Sequence, residues 1–327
     1  MKIFYPTYYK EFKCIADKCK DSCCIGWEID IDEKTREKYK ALDTELGREI
    51  VEKTKRGFFP LEKNGRCAFL DSKGLCRIIS SVGEGYLCDI CREHPRYYGI
   101  SADGLEGGLG LGCEEAARLI LECGGEVKFT YTEHDPSYSS EDEYAQFTDR
   151  VRESIYSRIR EEDVPQLVEY LLELAPAVDS ISFDVCAGLE ADDIPSTSVS
   201  ALGKDELSEK LTAFTELIAE CEALSEGWEK SVVLAKDVPL DEILTKKKEI
   251  KSLILYFTHR YVRECTEDMT AGQRVLFSLF SALFTVALAS GKGGDEAMIR
   301  AAVDFSKNIE YSTDNVDMIL DGLSNFL

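Results

Sequence analysis

The sequence is short of histidine, of positive charge and of long apolar runs, and each shortage excludes something. Three histidines, His94, His134 and His259, occur in 327 residues, and no two form a spaced ligand pair. They read as surface or structurally satisfied imidazoles rather than metal ligands. Lysine and arginine number 39 against 62 acidic residues, a formal net charge of −23. A field of that sign repels DNA and RNA and mildly attracts a lysine-bearing protein, and solvated acidic helix faces serve solubility with the same balance. The most apolar run, Val275 to Leu288, is too short to span a bilayer and carries Ser278, Ser281 and Thr285. It predicts a buried core helix and no membrane span. The opening MKIFYPTYYKEFKC has no apolar core of about 7 to 15 residues behind a basic start, which predicts a cytoplasmic protein.

Cysteine is what the chain has in abundance. Nine of its thirteen cysteines fall in about the first third: Cys14, Cys19, Cys23 and Cys24 within FKCIADKCKDSCCIGW, then Cys67, Cys76, Cys88, Cys91 and Cys113. Disulfides or metal explain such clustering, and a reducing compartment favours metal. GRCAFLDSKGLCRI reads as a hairpin in which DSKG turns Cys67 back towards Cys76, and Cys88-x2-Cys91 is a second close pair. Tight turns of this kind aim two sulfurs at one centre. Adjacent Cys23 and Cys24 reach one small ion only with strain, so two centres, or different irons of one cluster, suit them better. Cys123, Cys186, Cys221 and Cys265 stand singly and read as small packing residues.

The fold expected is mainly α: a small cysteine-rich α+β metal-binding part with short hairpins over residues 1–125, then an all-helical domain over 126–327. In the first part, Trp27, Ile29 and Ile31 share a face, Asp32 caps a helix of about six turns ending near Gly57, and a helix covers Glu114 to Glu122. Val127 to Thr132 alternates as a strand. Next come a helix carrying the stripe Tyr144, Phe147, Val151, Ile155 and Ile159, capped by Ser139 or Ser140, and another from Asp163 to Leu174. Gly188 to Lys204 reads as an exposed loop, and helices follow over Glu206–Leu224, Leu240–Cys265, Ala271–Ser290, Asp295–Lys307 and Asp314–Phe326.

Glu106 to Gly112, EGGLGLG, fits the E-x-G-x-G-x-G loop by which Rossmann-type methyltransferases approach S-adenosylmethionine, with Glu133 or Asp135 near the distance for ribose hydroxyls. Its context opposes that reading. GISADGL before it is not a buried apolar strand, and the helical remainder offers no strands for a parallel sheet.

Together, FKCIADKCKDSCCIGWEIDID, RCAFLDSKGLCRI, GEGYLCDICREHPR and GCEEAARLIL resemble the flagellin lysine N-methylase family, and the broader CxxCxxCC group of zinc- or iron-chelating domains, over about the first 120 residues. The resemblance implies a protein-lysine N-methyltransferase that moves a methyl group from S-adenosylmethionine to lysines of flagellin or a similar lysine-rich protein. It implies as metal ligands Cys14, Cys19, Cys23, Cys24, Cys67, Cys76, Cys91 and Cys113, with Cys88 set apart. Eight thiols exceed one zinc site, which favours an iron-sulfur (4Fe-4S) cluster over zinc. The spacing C-x4-C-x3-CC departs from the C-x3-C-x2-C of radical S-adenosylmethionine enzymes, and radical chemistry is not needed. A lysine amine of ordinary pKa about 10.4 has only to lose its proton and meet the sulfonium methyl in line. With 62 carboxylates and 15 tyrosines the sequence singles out neither a catalytic nor a cofactor-binding residue. The competing class is a non-catalytic metal-binding scaffold that docks a protein partner.

Overall fold

The structure is a computed structural model and describes residues 3–20, 22–102, 104–126, 128–131, 143–186, 194, 203–263, 270–292, 294 and 296–327. The chain opens with β1 (Ile3–Pro6) and two short 3-10 turns, Thr7–Glu11 and Ala16–Lys18. There follow β2 (Ile29–Asp30), α1 (Glu33–Lys40), α2 (Glu45–Lys53), β3 (Phe58–Phe59), α3 (Arg77–Val82) and α4 (Asp89–Glu93). Asp32 caps α1 as expected, accepting from the Thr35 amide at 2.9 Å. The six-turn helix expected from there is two helices. The Thr44 hydroxyl accepts from the Gly47 amide at 3.0 Å, so Leu-Asp-Thr caps a new helix instead of continuing the old one.

The cysteine hairpin forms as a turn, with the Asp71 amide on Leu75 O at 2.9 Å and Leu70 bridging Cys76. Its second arm stops at Cys76 because α3 begins at Arg77. β4 (Arg96–Ser101) and β5 (Gly104–Leu109) make an antiparallel hairpin, α5 (Glu114–Glu122) follows, and β6 (Phe129–Tyr131) pairs antiparallel with β1. The sheet order is β4-β5-β1-β6, with β1 and β5 its parallel pair.

The rest is helical. α6 (Glu143–Glu161) buries Phe147, Val151, Ile155 and Ile159. α7 (Val164–Cys186) runs through Pro176 and well beyond the Leu174 expected. The caps at Ser139 and Ser140, and nearly all of the Gly188–Lys204 loop, lie outside the described residues. Next come α8 (Lys204–Glu220), α9 (Trp228–Lys236), α10 (Leu240–Leu244), α11 (Lys247–Tyr261), α12 (Ala271–Lys292), α13 (Ala297–Phe305), a π-helical turn Ser306–Glu310 and α14 (Thr313–Leu323). The single helix expected from Leu240 is thus α10 and α11, and α9 was not anticipated.

Helix α12 is longer than the apolar run that announced it. By length and composition it suffices to cross a membrane, yet α7, α8, α9, α10, α11, α13 and α14 pack around it and bury all but Arg274 from Ala271 to Ala289. Its job is the one expected, a core helix.

Apolar burial falls into two clusters. The large one spans α5 to α14 and takes in Tyr8, Leu109 and Leu111; the small one holds nine buried residues, Ile29, Ile31, Tyr39, Ile50, Phe59, Ala68, Phe69, Ile78 and Cys88. Between the sheet and α6, Glu106 of β5 meets Arg152, with Nη2 on Oε1 at 2.8 Å and the two side chains 2% and 4% exposed. Burial works to raise the Glu106 carboxyl, and the Arg152 guanidinium overcomes it, holding the group below the usual carboxylate range.

Removing one partner strands the other charge in the interior, so Arg152→Met is expected to cost about 3–5 kcal/mol in urea unfolding. The depressed Glu106 contributes stability that is full above an unfolded pKa of about 4.3 and is lost as the pH falls through the folded value. Unfolding curves from pH 7 down to about pH 3 check both, and an Arg152→Met curve superimposable on wild type would contradict the first.

Candidate functional site

Thiols first. The Cys67 amide donates to Cys24 O at 2.8 Å, next to a bridge between Ile25 and Arg66, and Cys67, Cys76 and Cys91 pack against the small core that contains Cys88. Cys24 therefore belongs with Cys67, Cys76, Cys88 and Cys91. A second neighbourhood forms at the start of α5. Cys19 Sγ donates to Glu114 Oε2 at 3.4 Å, beside Cys113, which packs on the large core. The charges of Cys113 and Cys14 both raise Cys23, and that of Cys14 raises Cys113, which puts Cys14 and Cys23 there too. Ala16, at φ 51°, turns the chain between Cys14 and Cys19 in the left-handed region that ordinary residues avoid. Cys23 and Cys24 straddle the two neighbourhoods, with sulfurs 4.0 Å apart.

Proximity shapes their ionisation. A bond from the Cys23 thiol, with help from Ser22 and Arg66, brings Cys24 down to about 7 against the pull of burial, and Cys23 rises correspondingly. Cys88 and Cys91 repeat the pattern, Cys88 lowered by its partner and Cys91 raised. Burial pushes Cys67 up to about 11, and the charges of Cys24, Cys76 and Cys88 add to it. Crowded thiols that resist ionising together are the condition a cation relieves. Among the described residues, no group of three or more Cys, His, Asp or Glu side chains is already arranged as a cage for one ion.

The glycine-rich stretch has a packing cause. A Cβ on Gly99 would stand 2.0 Å from Arg263 Nη1, one on Gly108 2.3 Å from the Tyr97 ring, and one on Gly112 2.3 Å from the Tyr311 hydroxyl. Glu106 is engaged by Arg152, and Glu133 and Asp135 lie outside the described residues. The glycines admit a polar face of α11 onto the sheet: His259 Nε2 lies 3.1 Å from Gly107 O, the Leu111 amide donates to the Tyr256 hydroxyl at 3.3 Å, and Arg260 stacks on Tyr97 at 4.7 Å.

Where this seam meets the thiols, a cleft of about 870 Å³ opens. Its walls are Ile25–Trp27, His94–Tyr97, Gly110 and Gly112, residues 224–228, Arg260, Lys292, Asp304, Lys307 and Tyr311. Trp27 is fixed by its indole N–H on Cys23 O at 2.8 Å, with His94 and Tyr311 rings 6.2 and 5.7 Å away. The π-helical turn and the Tyr311 that caps it do three jobs. Asn308 accepts from the Leu224 and Ser225 amides at 3.1 and 2.9 Å and so holds the rim; Glu310 points inward; Tyr311 forms a wall. Burial raises the Tyr311 phenol, and Cys23 adds to it. Among the described residues His94 Nε2 is buried with no hydrogen-bond partner, an opening for a ligand. Composition offered no signal for this cleft, because its lining comes from seven separated stretches.

No family model and no solved structure matches the chain. It is 30% identical over 129 residues to the flagellar biosynthetic protein FliU of Salmonella muenchen, a match covering 36% of this chain and 75% of FliU. Lysine-N-methylases of Salmonella typhimurium and Salmonella choleraesuis match at the same 30% over 129 residues. That match spans 31% of their length.

Burial, with the charge of Lys307 second, takes His94 down to about 4. Its imidazole is therefore expected to stay neutral from about pH 5 to pH 8, followed by its ring proton shifts against pH. Because the folded value lies below the unfolded one, its contribution to stability is full above about pH 6.5 and declines below that. A midpoint near 6.5 would mean the imidazole is fully solvated.

Proposed function

The chain belongs to the flagellin lysine N-methylase family, and from that premise we propose that it methylates lysine side chains of a flagellin-like protein, with the cleft at Trp27, His94 and Tyr311 as the site. The observation that carries the reading is the cleft itself: a volume within the range of small-ligand sites, walled by aromatic rings and containing the unpartnered His94 Nε2. S-adenosylmethionine supplies a methyl on a sulfonium, which the neutral lysine nitrogen takes as the carbon–sulfur bond breaks and its electrons stay on sulfur. Trp27, Trp228 and Tyr311 line the cleft, and aromatic rings there suit a sulfonium. His94, held neutral, accepts a hydrogen bond without adding charge that would repel the amine. The acidic surface of a chain at −23 favours the approach of a lysine-rich partner.

The metal reading extends to the same place. We propose that Cys14, Cys19, Cys23, Cys24, Cys67, Cys76, Cys91 and Cys113, joined by Cys88, hold an iron-sulfur cluster or zinc. The donor set fits such a group, since thiolates suit both and the Cys23 thiol bond lowers Cys24 towards the thiolate form against the pull of burial. Bound metal would add folding energy to a segment whose separate core has only nine buried residues.

Anaerobically purified protein is expected to carry iron or zinc by elemental analysis, with visible absorption if iron-sulfur; absence of both metals with paired disulfides would end the metal reading. In the second measurement the same protein transfers labelled methyl from S-adenosylmethionine to flagellin, and changing every flagellin lysine to arginine abolishes the label. Labelling that survives the change excludes lysine as acceptor. Metal-loaded protein that binds no S-adenosylmethionine supports the scaffold instead.

A further inference from the structure

We infer that Arg260 is the anion anchor of the cleft and takes the carboxylate at the amino-acid end of the methyl donor; this rests on reading the cleft as the donor's site. Charge singles out the ligand. In a chain at −23, four cations, Arg96, Arg260, Lys292 and Lys307, line the cleft against two carboxylates, and Lys292 is paired with one of these, Asp304. A protonated lysine is disfavoured on such a floor, and an anionic group is favoured.

Geometry singles out the residue. Arg260 Nε lies 3.4 Å from Glu310 Oε1, and Nη1 donates to the Tyr256 hydroxyl at 2.7 Å. Tyr256 and Tyr261 in turn donate to Glu310 at 2.8 and 2.9 Å, and the Glu310 side chain is fully buried. With the guanidinium stacked on Tyr97 and two of its nitrogens engaged, its plane is fixed, and among the described residues Nη2 has no hydrogen-bond partner. Glu310 balances the charge of Arg260, so the anchor works through N–H groups held in a fixed plane more than through net attraction. Gly110 keeps the approach open, because a Cβ there would come within 3.3 Å of Nη1.

The test titrates the metal-loaded full chain with S-adenosylhomocysteine, which carries the carboxylate, and with 5′-methylthioadenosine, which lacks it. Wild type is expected to prefer the first by about 10- to 100-fold, the worth of hydrogen bonds to a charged group. Arg260→Gln is expected to erase that preference, and Arg260→Lys to fall between. Equal wild-type affinities overturn the inference with no variant needed, so a poorly folding Arg260→Gln does not shelter it. A preference that persists in folded Arg260→Gln overturns it as well. If wild type binds neither compound, the reading of the cleft as the donor's site falls first, and the anchor with it.

Discussion

The fold depends on burying the polar face of α11 against a sheet. Tyr256 and His259 of α11 and Arg263 just past its end are buried, Arg260 is largely so, and each needs a partner or the desolvation is unrecovered. Glu106 and Glu310 supply carboxylates, Gly107 a carbonyl, and Tyr97 a ring face. The close approach is available only because positions 99, 108 and 110 have no side chain. One seam thus fixes the helical half on the sheet, orders the Gly110–Gly112 turn and sets the floor of the cleft.

The thiols pose a complementary problem. Residues 25–93 carry a core of their own that is small for the length of chain it orders, and that core borders Cys67, Cys76, Cys88 and Cys91. A cation shared among them would stabilise folding and ionisation together, since each removes the repulsion that opposes the other. The second group, Cys14, Cys19, Cys23 and Cys113, sits at the edge of the large core, where Cys23 and Cys113 influence Tyr311 in the cleft wall. The charge state of those sulfurs and the ionisation of the Tyr311 wall are therefore linked through neighbouring atoms rather than through a distant pathway.

Much was legible in the amino-acid order because much of it is local. Asp32 capping α1, the turn at Asp71, α5 from Glu114 to Glu122 and the apolar stripe of α6 each follow from a few neighbouring residues. The misjudged boundaries are local too, but decided by competition. Thr44 ended a helix that periodicity would have continued, and Pro176 failed to end one because packing against α12 outweighs the lost hydrogen bond.

By itself, then, the sequence determined the mainly helical character, the turn between Cys67 and Cys76, the closeness of Cys88 to Cys91, and the family, because turns, periodicity and thiol spacing act over a few residues. Only the tertiary structure decided that Cys23 and Cys24 face different neighbourhoods, that EGGLGLG is a packing surface for α11, and that Arg260 and Glu310 meet at the floor of a cleft. Those outcomes depend on side chains brought together across as many as about 280 residues of chain, Trp27 and Tyr311 among them, where no local pattern records which groups burial will force into contact.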